Sequence, residues 1–162
     1  MTMTTELLEI LLADARQSSA DIARQLETDA ASVDAAIEEL EEGDIIKGYQ
    51  AVIDWGNTDT ARVRAEVELN VELDRETNYA EIAARIARFP QVASLRLISG
   101  SYDFAVDVEA ESMQAVSQFV ADQIAPIPEV TQTVTHFVME TYKERGIYFE
   151  DSDEDDRLTI SP

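Results

Sequence analysis

The 162-residue chain has no cysteine, one histidine, one tryptophan and two lysines. Without cysteine there is no disulfide framework, no thiolate zinc site and no thiol nucleophile. The lone His136 stands inside a strand-like pattern, where a histidine is more often a hydrogen-bonded structural residue than a catalytic base. Glycine is sparse and forms no phosphate-cradling loop, and no carboxylate–histidine group has metal-ligand spacing. No run of about 18 apolar residues could span a membrane. The opening MTMTTELLEI lacks the basic and long apolar segments of a secretion signal. The expectation is a cytoplasmic protein with no catalytic residue, cofactor or metal site. With 45% hydrophobic and 28% charged residues, the chain can still bury a core.

Positive charge is the other shortage. Against 34 acidic residues stand 12 lysines and arginines, a formal net charge of −22. Residues 1–50 carry 12 acids and 3 bases, residues 51–146 carry 16 and 8, and residues 147–162 carry 6 and 1, so the excess runs through the whole chain. An acidic, lysine-poor surface suits a salt-rich cytoplasm, where counterions screen self-repulsion. A mesophilic protein that is merely acidic is the plainer alternative.

Apolar periodicity organises what is present. Leu7, Leu8, Leu11 and Leu12 fall at helical spacing within residues 5–15. Ser18 and Ser19 are good caps for a short second helix through Ala20, Ile22, Ala23 and Leu26. A turn at Glu27–Thr28 follows, and Asp29 can cap a third helix carrying Val33, Ile37 and Leu40 that stops near Gly43–Asp44. This is a helix-turn-helix pattern. IIKGYQAVIDW (45–55) alternates and reads as a linking strand, and GNTDT (56–60) as a hinge. Beyond it, Val63, Ala65, Val67, Leu69, Val71 and Leu73 alternate with Arg64, Glu66, Glu68, Asn70 and Glu72, the mark of a half-buried strand. A helix through Tyr79, Ile82, Ala83, Ile86 and Phe89, strands at VASLRLIS and FAVDVE, a helix from Met113 to Ile124 and a last strand EVTQTVTHFVME complete β-α-β-β-α-β. That order predicts a four-stranded antiparallel sheet with both helices on one face. Residues 147–162 are acidic and aperiodic, and are expected to be mobile.

Six short motifs then occur in order. They are Asp14–Ala15–Arg16 between the first two helices, Ile22–Ala23, the set Val33, Ile37 and Leu40, Ile46–Lys47–Gly48–Tyr49, Gly100–Ser101–Tyr102–Asp103–Phe104, and Val130 with Thr133 and Thr135. Through them, over residues 5–146, the chain resembles the Lrp/AsnC, or feast/famine, transcription regulators. The resemblance implies an α+β fold, an N-terminal winged-type helix-turn-helix joined to a C-terminal ferredoxin-like βαββαβ sandwich. It assigns residues 1–50 to a DNA-binding head, 51–60 to the linking strand and hinge, 61–146 to an effector-binding and oligomerisation domain, and 147–162 to an acidic tail. It further implies a homodimer joined through the sheets, assembly to octamers, an amino-acid effector held between dimers, and control of metabolic genes. Joined to the acidic composition, it points to a halophilic archaeon as the source.

Two departures bear on DNA. Ala36 stands where the family usually has a basic recognition-helix residue, flanked by Asp34 and Glu38, and Asp44 replaces the helix-ending glycine. Duplex DNA is gripped mainly by bases that displace counterions, a driving force that fades near molar salt. A halophilic head could instead use hydroxyls, helix N-termini and groove shape. Its candidate contacts are Ser18, Ser19, Thr28 and Ser32, with Arg16, Arg24 and Lys47 as the only bases. Against this, Ser19 and Asp29 could be caps, Arg24 could pair with Asp21 or Glu27, and Lys47 could answer Glu41 and Glu42. The second reading is an effector-sensing partner of related family members whose own head no longer binds duplex.

For the effector, Gly100 is expected to free the backbone for a tight turn whose amides receive a carboxylate. Ser101 and Tyr102 complete that turn, Asp103 could hold an α-amino group, and Thr131, Thr133 and Thr135 are expected to share one strand face. Gly-Ser-Tyr-Asp is also ordinary hairpin chemistry, and threonine rows are common on strands. An enzymatic branch of this architecture, the siroheme decarboxylases, carries a histidine-asparagine-tyrosine segment; Asn78–Tyr79 here has no histidine.

Overall fold

In the computed structural model, which describes residues 2–149, each helix of the first part starts on a side chain that accepts a backbone N–H. Thr2 caps α1 (Met3–Ala13), Ser18 caps α2 (Ser19–Gln25) and Asp29 caps α3 (Ala30–Glu42), replacing partners that a first turn lacks. Leu7, Ile22, Ala23, Val33 and Leu40 are buried among the three helices. Leu12 is 85% exposed, contrary to expectation. At 3.6 residues per turn it lies about 140° around the helix from Leu7, and Ile10 packs inward instead.

Both α2 and α3 end through left-handed residues that are not glycine: Glu27 has φ 52° and Asp44 φ 59°. Asp44 N–H donates to Glu41 O at 3.1 Å and Ile45 N–H to Leu40 O at 2.9 Å, the paired bonds of a Schellman stop. Gly43, one residue earlier, has φ −76°. An added Cβ on it would meet Glu39 O at 3.0 Å. Aspartate tolerates the left-handed region because its short side chain satisfies itself locally.

The strand expected at 45–55 is absent. Residues 45–54 have no ladder partner among the described residues, and side-chain alternation alone cannot satisfy strand N–H and C=O groups. A 3-10 turn at Trp55–Asn57 follows, capped by Asp54.

The chain divides into two units, Met1–Ala51 and Val52–Pro162. The second contains β1 (Val63–Val71), α4 (Tyr79–Ile86), β2 (Val92–Leu97), β3 (Phe104–Ala110), α5 (Met113–Phe119) and β4 (Val130–Phe137). The sheet order is β2-β3-β1-β4, antiparallel throughout. One sheet face (Ala65, Val67, Leu69, Phe104, Val106, Val108) packs on Ile82 and Ile86 of α4 and on Val116 and Phe119 of α5. Burial of this apolar area is the chief stabilising term. A π turn at Val120–Ile124 extends α5 and keeps Val120 and Ile124 buried. Met113 is 52% exposed, set outside the stripe expected to bury it.

β1 ends at Val71, so Leu73 falls outside the strand and is partly exposed. Lys143–Glu144 (β5) and Ile147–Tyr148 (β6) form a small hairpin. Its turn residues Arg145 and Gly146 both have positive φ, 49° and 86°, as a two-residue primed turn requires. This corrects the expectation that the chain lacks structure from residue 147; the remainder of the predicted tail, 150–162, lies outside the described residues.

Candidate DNA-binding face and effector turn

Local carboxylates occupy most of the polar groups expected to meet DNA. Ser18 is the N-cap of α2, accepting from Asp21 N–H at 3.1 Å while its hydroxyl donates to the Asp21 carboxylate at 2.6 Å. Ser19 is not a cap. It is the first helical residue, and its hydroxyl donates to Asp34 of α3. Asp34, read from the sequence only as an unhelpful acid, thereby ties the two helices of the motif together. Ser32 donates both its amide and its hydroxyl to Asp29, at 2.9 and 2.8 Å. These bonds hold the Asp29 carboxyl below the ordinary aspartate range, the Ser32 backbone N–H contributing most. The Thr28 side chain makes no hydrogen bond among the described residues.

The bases are similarly engaged. Arg24 pairs with Asp21, not Glu27. Lys47 pairs with Asp44 at 2.7 Å, not with Glu41 or Glu42, and Glu41 instead accepts from the Tyr49 hydroxyl at 2.9 Å. Arg16 alone of the three has no ion pair among the described residues. The outward side of α3 carries Asp34, Glu38, Glu39, Glu41 and Glu42, all exposed. What such a head offers a polyanion is one unengaged guanidinium, hydroxyls that can still accept, and helix N-termini.

The turn between β2 and β3 is closed by Ile98 N–H to Asp103 O at 2.9 Å. Between them, the amide N–H groups of Ser99, Gly100, Ser101 and Tyr102 find no acceptor among the described residues, so they are available to an anion. Gly100 does not have a positive φ, which corrects the expected reason for it. A Cβ there would meet nothing within 4 Å, so neither conformation nor space within the chain requires glycine.

Asp103 does structural work first. At a register shift between Asn70 and Val71, β1 loses its regular pairing with β4. At that shift Asn70 O accepts from Thr131 Oγ1 at 3.2 Å, while on the opposite, β3 side of β1 Val71 N–H donates to Asp103 Oδ2 at 2.9 Å. One carboxylate oxygen of Asp103 is thus committed to the backbone. Nothing in residue order announced this irregularity.

The three threonines do not form one row. Thr131 sits at the register shift, while Thr133 and Thr135 pair with the buried Leu69 and Val67, on the helix-covered side. Tyr102 lies near Glu68 and Glu66 of the open face. Partial burial, then the fields of Glu68 and Glu66, raise its hydroxyl above the ordinary phenol range. The turn and the threonines are therefore not brought onto a common face within one chain.

Among the described residues no group of three or more histidine, aspartate or glutamate side chains could hold a metal ion, and no helix is long and apolar enough to cross a membrane.

The comparisons with known proteins agree on both halves. The family described as winged helix-turn-helix DNA-binding matches residues 4–47, and that described as Lrp/AsnC ligand binding domain matches residues 64–148. YugG of Bacillus subtilis (strain 168), named an uncharacterized HTH-type transcriptional regulator, is 37% identical over 159 residues, covering 98% of this chain and 96% of its own. The solved structure of Escherichia coli AsnC superposes with a TM-score of 0.68 at 20% identity, over 90% of this chain and 95% of that one. A transcriptional regulator of Neisseria meningitidis, NMB0573, solved as a complex with L-Met, gives a TM-score of 0.70 at 19% identity, over 89% and 92%. At such identities the structural likeness is one of fold.

Proposed function

The chain belongs to the Lrp/AsnC family of transcription regulators, and from that premise we propose that it is a DNA-binding regulator adapted to high salt and responsive to a small amino-acid-like effector. The observation that carries the high-salt reading is the engagement of the head's bases. Of Arg16, Arg24 and Lys47, two are held by neighbouring carboxylates. A head arranged this way gains little from counterion release and loses little when salt removes it. Ser18, Ser19, Thr28 and Ser32, with Arg16 and the N-termini of α2 and α3, are the contacts, Arg24 and Lys47 joining only when their carboxylates yield. The lysine-poor acidic composition supports a halophilic source, and a halophilic archaeon fits that composition; YugG, the relative named above, is bacterial.

The effector's carboxylate meets the free amides of residues 99–102, and its amino group meets the uncommitted oxygen of Asp103. The neighbour solved with L-Met supports an amino acid as the ligand class. The open sheet face supports a homodimer joined through the sheets, since a wide β-surface is commonly covered by a symmetric copy. Larger assemblies up to octamers, mixed assemblies with related family members and a cytoplasmic location complete the reading.

One observation favours the second reading. Five exposed carboxylates on α3 repel phosphate at any salt low enough to leave them unscreened. On that reading the chain senses effector and assembles with basic relatives without touching duplex itself. Genome-wide occupancy of the tagged protein in cells at native internal salt separates the two. Discrete occupied sites that persist without its relatives support direct binding; sites that vanish with them support the co-regulator.

A further inference from the structure

His136 lies on the open face of the sheet, away from α4 and α5. It is the ladder partner of Glu66 on β1, and its Nε2 lies 3.2 Å from Oε1 of Glu68. Other charges of this face are ion-paired, Glu72 beyond the end of β1 excepted among the described residues. Arg64 holds Glu109 and, at 2.8 Å, Glu144 of the hairpin, while Arg96 holds Asp107. Glu66 has no partner among the described residues. Glu68 has a cationic partner only when His136 carries a proton. Tyr102, the remaining titratable neighbour, holds its proton more firmly than an ordinary phenol and supplies no positive charge.

On an open surface this imbalance costs little, because water solvates the carboxylates. Covering the face changes that, since a carboxylate withdrawn from water without a partner is expensive. A two-fold axis would bring the same acid-rich patch of both copies into one interface. Resting on the sheet-to-sheet dimer proposed above, we infer that His136 is a proton-dependent latch on self-association. Protonation turns the Glu66–Glu68–His136 cluster from two negative charges to one in each copy. The dimer therefore binds protons more tightly than the free chain, and linkage makes it tighten as pH falls. Between pH 8 and 6 histidine is the side-chain type that ordinarily changes charge; carboxylates and guanidiniums do not.

Sedimentation equilibrium of the full chain near pH 8 and near pH 6, at fixed salt, tests this. The dimer association constant should rise about tenfold on acidification. His136→Gln should hold it constant within about twofold, because the linked proton is gone. Glu66→Gln should tighten the dimer at pH 8 and shrink the pH response. Both positions are on exposed surface, and unchanged circular dichroism confirms that each variant folds. A wild-type dimer whose constant ignores pH, or a His136→Gln variant that keeps the response, overturns the latch while leaving the dimer intact. A chain that stays monomeric throughout overturns the sheet-to-sheet dimer itself, and the latch with it.

Discussion

Replacing Asp44 by asparagine separates two roles that the aspartate combines. Its backbone, at φ 59°, ends α3, and its carboxylate holds Lys47 Nζ at 2.7 Å. Asparagine enters the left-handed region about as readily as aspartate, so Asp44→Asn keeps the helix stop and releases the lysine. Each base freed to meet a phosphate steepens the slope of log affinity against log salt by about 0.9. Two heads in the proposed dimer give about 1.8, so across a tenfold rise in KCl the variant should lose about 60-fold more affinity than the wild type. Most of that difference is a gain at the low-salt end. Fluorescence anisotropy on one duplex, with both proteins titrated between about 0.2 and 2 M KCl, reads the two slopes side by side. A thermal melt should show stability unchanged within about 0.5 kcal/mol, as for other exposed substitutions. Parallel, coincident lines would refute the idea that neighbouring carboxylates keep the head's bases from DNA.

Three further outcomes follow from the same geometry. Asp29→Ala removes the cap of α3 and should lower the Tm of the head. Because the Ser32 N–H depresses the Asp29 pKa in the folded state, the cap's ionic contribution is present above the ordinary aspartate range and fades as pH falls through the folded value. The wild-type and variant melts should then converge below about pH 4, and a gap that widens toward acid would contradict the assignment. Gly100→Ala should leave stability within about 0.5 kcal/mol of wild type, since the position is open and has ordinary φ. It should weaken the shift produced by whichever of the twenty amino acids raises the wild-type Tm; a destabilised apo protein would show that glycine serves the fold. Asp103→Ala strands the Val71 N–H and should cost about 1–2 kcal/mol in urea unfolding. Asp103→Asn, which keeps an acceptor oxygen, should cost clearly less, and equal losses would remove Asp103 from that bond.

Much of the fold was legible because its signals are local and periodic. The alternation from Val63 to Val71 needs only a neighbour on each side to become a central strand, and β1 has both. The same alternation at residues 45–55 failed, because a pattern of side chains does not supply a hydrogen-bonding partner. Caps were readable where one residue suffices, as at Asp29. They were ambiguous at Ser18–Ser19, where two adjacent hydroxyls compete and Asp34, fifteen residues on, decides. Gly100 has no conformational duty of the kind its residue type suggests, since a sequence shows that a residue is glycine but not its φ. Asp103 reads from the sequence as a functional acid, yet its bond to Val71 depends on the end of β1 lying beside the turn into β3, thirty-two residues away in sequence. The charge of the recognition helix was plain from the start; the pairing of Lys47 with Asp44 needed coordinates.

The salt dependence of the wild-type protein on duplex DNA carrying one of its occupied chromosomal sites tests the central claim most directly. An anisotropy titration from about 0.2 to 2 M KCl should find affinity level or rising, as screening of the α3 carboxylates offsets the little counterion release available. A fall of about a thousandfold or more, as for heads that grip six to ten phosphates with bases, would contradict it.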